Sequence, residues 1–156
     1  LVAPSQPLNK NSMYCNLLQC TDFSDTCVLA ERDGEAVGWI SGYRPPGEPC
    51  TLFVWQVAVH EAARGLGLAR KMLFALLERP ELSDVTHIRT TVTPDNDASR
   101  ALFRSVAKRA DAVMRETAGF DQDQHFHGRH DSERLITIGP MRREAQRRPQ
   151  QDRSAA

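Results

Sequence analysis

The sequence predicts an α/β or α+β domain, with a mixed and mostly antiparallel sheet flanked by helices, and three observations carry that prediction. Three strand-like runs rich in Val, Thr and aromatic residues come in succession, and further strand patterns then alternate with helical ones. The longest run, "TLFVWQVAV", passes through a glycine-punctuated turn straight into an amphipathic helix pattern. At 156 residues the chain can bury one hydrophobic core and is short for two.

Taken in order, "NSMYCNLLQC" offers Asn11 or Ser12 as an N-cap, followed by Met13, Leu17 and Leu18 at helical spacing. "TCVLAE" and "AVGWISGYR" are strand-like and are separated by "RDGE", whose Asp33-Gly34 pair signals a hairpin. "RPPGEP" forbids regular structure and returns the chain into "TLFVWQVAV". After the glycine turn, Leu68, Met72, Leu73, Leu76 and Leu77 form one apolar stripe that ends before Pro80. "THIRTTVT" is the next strand, "NDASRALFRSVAKRA" a helix entered through Asp95 to Asp97, and "ERLITIG" a final strand reached through a polar, histidine-rich stretch. The expected domain is 1–140, and 141–156 reads as a disordered polar tail without apolar periodicity. The opening "LVAPSQPLNKN" looks like the end of an earlier element, so a first strand and helix are expected upstream, missing from this stretch of chain.

The totals narrow the function. Lys plus Arg equals Asp plus Glu at 20 each, so no global field attracts nucleic acid or an acidic membrane surface. A small or zwitterionic partner fits that balance. No apolar run approaches the ~18 residues of a membrane span. Cys15, Cys20, Cys27 and Cys50 have neither CxxC spacing nor disulfide-scaffold density, and are read as reduced thiols of a cytoplasmic protein.

In "VWQVAVHEAARGLGLARKML", two glycines and an arginine stand at the entrance to a helix. Free N–H groups of a first helical turn and the positive end of the helix dipole suit a phosphate. Arg64, Gly67 and Ala69 fit the [Q/R]-x-x-G-x-[G/A] signature, and the chain resembles the GNAT acetyltransferases there and again in "TVTPDNDASRALF". More specifically, "NSMY", "TCVLAE", "SGYRPP", "TLFVWQVAV", "ARGLGLARKML", "TTVTPDN" and "RLITIGP" are similar, in order, to blocks of the L-2,4-diaminobutyrate acetyltransferases of ectoine biosynthesis. Two positions depart from that family's pattern: Asn9 and Cys50 stand where similar sequences tend to carry Asp.

The resemblance implies acetyl-CoA as cosubstrate, no metal, L-2,4-diaminobutyrate as acceptor at its 4-amino group, and a homodimer. Its pyrophosphate would rest on Arg64, Gly65, Leu66, Gly67, Leu68, Ala69 and Arg70, and its pantetheine arm on Val57, Ala58 and Val59, with Asn96, Ser99 and Phe103 lining the channel. A backbone N–H near Val57 would hold the thioester oxyanion. Many GNAT enzymes carry a Tyr acid where this chain has Phe103, so solvent or another hydroxyl serves, Tyr14 first and Tyr43 second, or coenzyme A leaves as thiolate. Asn9, Asn11, Ser12, Tyr14, Trp55 and Glu133 are the expected substrate contacts.

Plainer readings stand beside these. Trp55 and Tyr14 could serve packing alone, and Glu133 could be a solvated edge charge. His125, His127 and His130 invite a metal, but no Cys lies nearby, so a polar loop at the substrate pocket or a subunit contact is preferred, with His127 a minor proton relay. Acetyl transfer to another amine, or acetyl-CoA binding without turnover, are the rival functions.

Overall fold

The computed structural model of the chain describes residues 13–142; Asn9, Asn11, Ser12 and the C-terminal 143–156 lie outside the described residues. Helix α1 is Met13–Cys20, and a hairpin of β1 (Val28–Arg32) and β2 (Glu35–Tyr43) follows. Asp33 and Gly34 both have positive φ, at 55° and 80°, which matches the right-handed twist of the paired strands. Then come β3 (Thr51–Val59), α2 (Leu68–Leu77), β4 (His87–Val92), α3 (Asp97–Arg109), β5 (Met114–Phe120), α4 (Gln122–Phe126) and β6 (Glu133–Ile138). The sheet runs β1-β2-β3-β4-β6-β5, antiparallel throughout except where β3 lies parallel to β4.

One apolar cluster holds the sheet to its helices. Leu73 and Leu76 of α2 and Phe103 and Val106 of α3 meet Ile40, Leu52, Ile88, Ile136 and Ile138 of the strands. Each such side chain, fully buried, contributes ~1.5–3 kcal/mol. The predicted apolar stripe of α2 is therefore its core face: Met72, Leu73, Leu76 and Leu77 are its buried residues.

The central parallel ladder is short. Thr51, Leu52 and Phe53 pair with His87, Ile88 and Arg89, after which β3 runs on to Val59 and β4 to Val92 without partnering each other. A bulge in β3 accompanies the divergence. Ser41 faces Gln56 and Gly42 faces Val54, leaving Trp55 as the extra residue. The core-facing positions shift accordingly, from Leu52 and Val54 before the bulge to Val57 and Val59 after it. Only an inserted residue permits that change of parity in a strand of period two.

Two elements escape the sequence reading. Strand β5 is exposed at every residue but Met114, and "MRETAGF" has no alternating apolar face to announce it. Its ladder with β6 builds it, at the sheet edge. Helix α4 is only 5 residues long and has no buried residue, so no periodicity could reveal it.

Gly42, opposite the bulge, accepts no side chain: a Cβ there would stand 2.7 Å from the Phe53 carbonyl oxygen and 3.1 Å from that of Thr26. Gly42→Ala is expected to push β2 from β3 and cost ~1–3 kcal/mol, read as a lower urea midpoint in equilibrium unfolding.

Candidate active site

Two cavities open along the divergent part of β3. The first, of ≈ 610 Å³, is walled by Val59, the Ala63 to Arg70 turn and one side of α3. Gly65 and Gly67 have φ of +76° and +70°, a left-handed turn that aims the chain into α2 with Gly67 as N-cap. The backbone N–H groups of Leu68, Ala69 and Arg70 open the helix and have no intrahelical acceptor, since the first helical bond runs from Lys71 N–H to the Gly67 carbonyl. Nothing lies within 4 Å of a Cβ placed on Gly65, so the turn is open to a close approach. Arg64 steadies it by donating from Nε to the Val59 carbonyl at 3.2 Å. The result is a donor-rich, electropositive concavity of the kind that holds a phosphate group.

The second cavity, of ≈ 640 Å³, fills the gap between β3 and β4. Trp55 to Val57 form one wall and Thr90 to Thr93 the other, with Asn96, Ser99 and Phe103 of α3 behind and the 128–131 loop and Glu133 in front. Since β4 makes no ladder with β3 beyond Phe53, the β3 edge here offers main-chain groups to a ligand. Helix α3 and the strand Val57–Val59 border both cavities, so one elongated molecule laid along β3 would occupy the two at once.

Asn96 is the N-cap of α3. Its Oδ1 accepts from the Ser99 N–H at 3.0 Å, and the residue lines the second cavity. The turn that carries it is clamped by Arg100, whose buried guanidinium donates to the Thr93 and Pro94 carbonyls at 3.0 and 2.8 Å and to Glu116 of β5 at 3.2 and 3.3 Å. Hydrogen bonds from Arg100, with its charge, hold the Glu116 carboxyl below the usual carboxylate range. Sequence reasoning missed this clamp because Glu116 belongs to the strand it also missed.

Glu133 opens β6 and faces the second cavity. Its side chain is 18 % exposed and its Oε2 is buried without a hydrogen-bond partner among the described residues. Burial pushes its carboxyl above the usual range, and the Thr91 side chain and His130, whose Nε2 is 3.9 Å away, offset that only in part. A buried carboxylate of raised proton affinity, facing a cavity with a lone pair to spare, is suited to accept a proton.

A model of the Acetyltransferase (GNAT) family matches residues 3–107. The L-2,4-diaminobutyric acid acetyltransferase of Methylotuvimicrobium alcaliphilum is 51% identical over 142 residues, covering 91% of this chain and 83% of the relative. That of Halomonas elongata is 48% identical over 142 residues, covering 90% and 73%. The chain belongs to the GNAT acetyltransferases, among the L-2,4-diaminobutyric acid acetyltransferases. Among solved structures, the diaminobutyrate acetyltransferase EctA from Paenibacillus lautus, in complex with its substrate L-2,4-diaminobutyric acid and coenzyme A, is 40% identical with a TM-score of 0.87, covering 92% of this chain and 87% of that one.

Within this GNAT fold the residues expected along the cofactor path fall together: the Arg64 to Arg70 turn and Val59 at one cavity, Val57, Asn96, Ser99 and Phe103 at the other. Ala58 is buried between them in β3. Trp55 is half-exposed at the bulge, edge-on to Tyr43 at 6.4 Å, and it faces the cavity rather than the core. Tyr14, by contrast, is 71% exposed on α1 and lines neither cavity, because no described element packs over that face of the helix. His130 reaches the cavity wall, whereas His127 closes α4 in a left-handed conformation and does not. No three His, Cys, Asp or Glu side chains converge as metal ligands among the described residues.

A methyl group at Gly67 meets only Arg70 Nη2, at 3.6 Å, so Gly67→Ala leaves the core untouched while adding a side chain to the wall of the first cavity from a left-handed backbone. The variant is expected to fold, with an acetyl-CoA affinity lower by about tenfold or more in calorimetric titration.

Proposed function

We propose that this protein transfers the acetyl group of acetyl-CoA to the 4-amino group of L-2,4-diaminobutyrate, the step that serves ectoine synthesis. The observation that carries the reading is that the two cavities lie one after the other along β3 and α3, bordered by Val57 and Val59. A pyrophosphate on the α2 turn and a pantetheine arm paired with Val57–Val59 would deliver the thioester to the cavity that Glu133 faces.

The chemistry follows from charge. An ammonium of pKa ~10.4 must lose its proton before it can attack, at a cost of roughly 4–5 kcal/mol near pH 7. Glu133 takes that proton, directly or through one water. The neutral nitrogen attacks the thioester carbon, forming the C–N bond, and a β3 backbone N–H near Val57 holds the oxyanion. The nitrogen passes its second proton to solvent, and collapse breaks the C–S bond. Phe103 has no proton to give, and among the described residues the hydroxyls lining the cavity belong to threonines and Ser99. Coenzyme A therefore departs as thiolate and is protonated from solvent; Tyr14, outside the cavity, is assigned no part in that step. The 2-amino group is the more acidic of the two amines, so placement of the 4-amino nitrogen decides the product.

This reading also puts the enzyme in the cytoplasm as a homodimer. Acetyl-CoA is made available there, Cys15, Cys20, Cys27 and Cys50 form no disulfide, and Met13, Tyr14 and Leu17 leave an apolar face of α1 exposed for a second copy.

A thiol-release assay with L-2,4-diaminobutyrate, ornithine, lysine and spermidine tests the function, with NMR of the product. Efficient release with diaminobutyrate and a 4-N-acetyl product are expected; preference for another acceptor would replace the assignment, and no release with any would make the chain a binder only.

Glu133→Gln separates catalysis from folding. It is expected to lower kcat by ~10²–10⁴ and to remove the acidic limb of the pH–rate profile. That limb should lie above the ordinary glutamate value of 4.5, because burial raises this carboxyl. A carboxyl raised on folding contributes stability that is present below its unfolded pKa and lost as pH rises through the folded one. At pH 7 the charged form is thus a cost to the fold, and the Gln variant should melt at the same temperature as the parent or higher.

A further inference from the structure

The second cavity is not merely acidic. Among the described residues its wall carries Asp95, Asp131 and Glu133 against a single Arg or Lys, Arg129. Three carboxylates and one guanidinium mirror a molecule with two ammonium groups and one carboxylate, the charge pattern of a diamino acid rather than of a diamine.

The loop that carries Arg129 is built, not loose. Asp121 Oδ1 accepts from the Asp123 and Gln124 N–H groups at 2.9 Å, and Ser132 Oγ accepts from the Gln122 N–H at 2.9 Å, tying the two ends of the loop together. His127 and Gly128, with φ of 52° and +72°, reverse the chain, and the Gly128 and Arg129 N–H groups donate to the Gln122 and Phe126 carbonyls at 3.0 Å. Phe126 packs on the His130 ring at 4.7 Å, seating the loop on its own side chains. Such internal bonding holds the backbone of Arg129 at the rim of the cavity. Its guanidinium makes no ion pair among the described residues, unlike Arg44, Arg89, Arg100 and Arg134, each of which is matched to a carboxylate.

We infer that Arg129 is the specificity residue for the acceptor's carboxylate: its planar fork grips that group while Glu133, at the start of β6, receives the ammonium to be acetylated. Two opposite charges set on one short loop and the strand after it orient the substrate end to end. That fixes which of two chemically similar amines reaches the thioester. A diamine lacking the carboxylate can enter but is not oriented. The inference rests on the proposed diaminobutyrate reading and adds how the cavity tells that acceptor from a plain diamine.

The test pairs a substitution in the protein with a deletion in the substrate, since 1,3-diaminopropane is diaminobutyrate without its carboxylate. Arg129→Gln is expected to raise the KM for L-2,4-diaminobutyrate by about tenfold or more with a smaller change in kcat, while kcat/KM for 1,3-diaminopropane stays as in the parent. Arg129→Lys should recover part of the lost diaminobutyrate affinity. If the parent turns over 1,3-diaminopropane too slowly to measure, its inhibition constant against diaminobutyrate is read instead and should be the same in both proteins. Equal losses for both amines, or an unchanged KM for diaminobutyrate, would overturn the inference. A parent enzyme that does not acetylate diaminobutyrate would instead overturn the function on which it rests.

Discussion

Everything at the site depends on two parallel strands that stop pairing. β3 and β4 share a ladder of three residue pairs and then part, so two strand edges that would ordinarily satisfy one another face a gap. Unpaired main-chain groups are costly unless something hydrogen-bonds to them, and water or a ligand must do so here. The bulge at Trp55 belongs to the same constraint. An extra residue bends β3 away from β4, turns Trp55 toward the gap, and requires a glycine opposite, because the Phe53 carbonyl stands where a Cβ of residue 42 would be.

The elements around the gap then divide the labour by charge. Among the described residues, the α2 turn at one end presents donors with no carboxylate lining it; at the other, carboxylates cluster with one guanidinium. An anionic cofactor end and a cationic acceptor are thereby sorted to opposite ends of one strand before any chemistry begins. Helix α3 separates the two ends. Its N-cap Asn96 sits on a turn that Arg100 fastens to β5, so the position of Asn96 is coupled to the edge of the sheet through a part-buried ion pair.

Burial of Glu133 illustrates how such a site is maintained against stability. A half-buried carboxylate whose Oε2 has no partner among the described residues destabilises the fold at neutral pH, and the same desolvation raises its proton affinity. The apolar cluster beneath the sheet, from Ile40 and Leu52 to Ile136 and Ile138, offsets that cost.

Local rules made much of this legible in advance. The Asp33-Gly34 hairpin, the apolar stripe from Leu68 to Leu77, the strand before the glycine turn and the helix entered through Asp95 to Asp97 each depend on neighbours a few residues away, and all stand in the structure as their spacing implied. What remained hidden depends on distant partners. β5 exists because β6 pairs with it, and the cavity role of Trp55 arises from a bulge that only the β2 register defines. Glu133 looked like a solvated edge charge by its neighbours, and became a buried acid only when the 128–131 loop and β4 closed around it. Tyr14, at helical spacing with Leu17 and Leu18, read equally as core or site and is on the exposed face of α1. Sequence determines which residues can turn, cap or pair; solvent exclusion, and with it the proton affinity of a carboxylate, is decided by what the rest of the chain places on top.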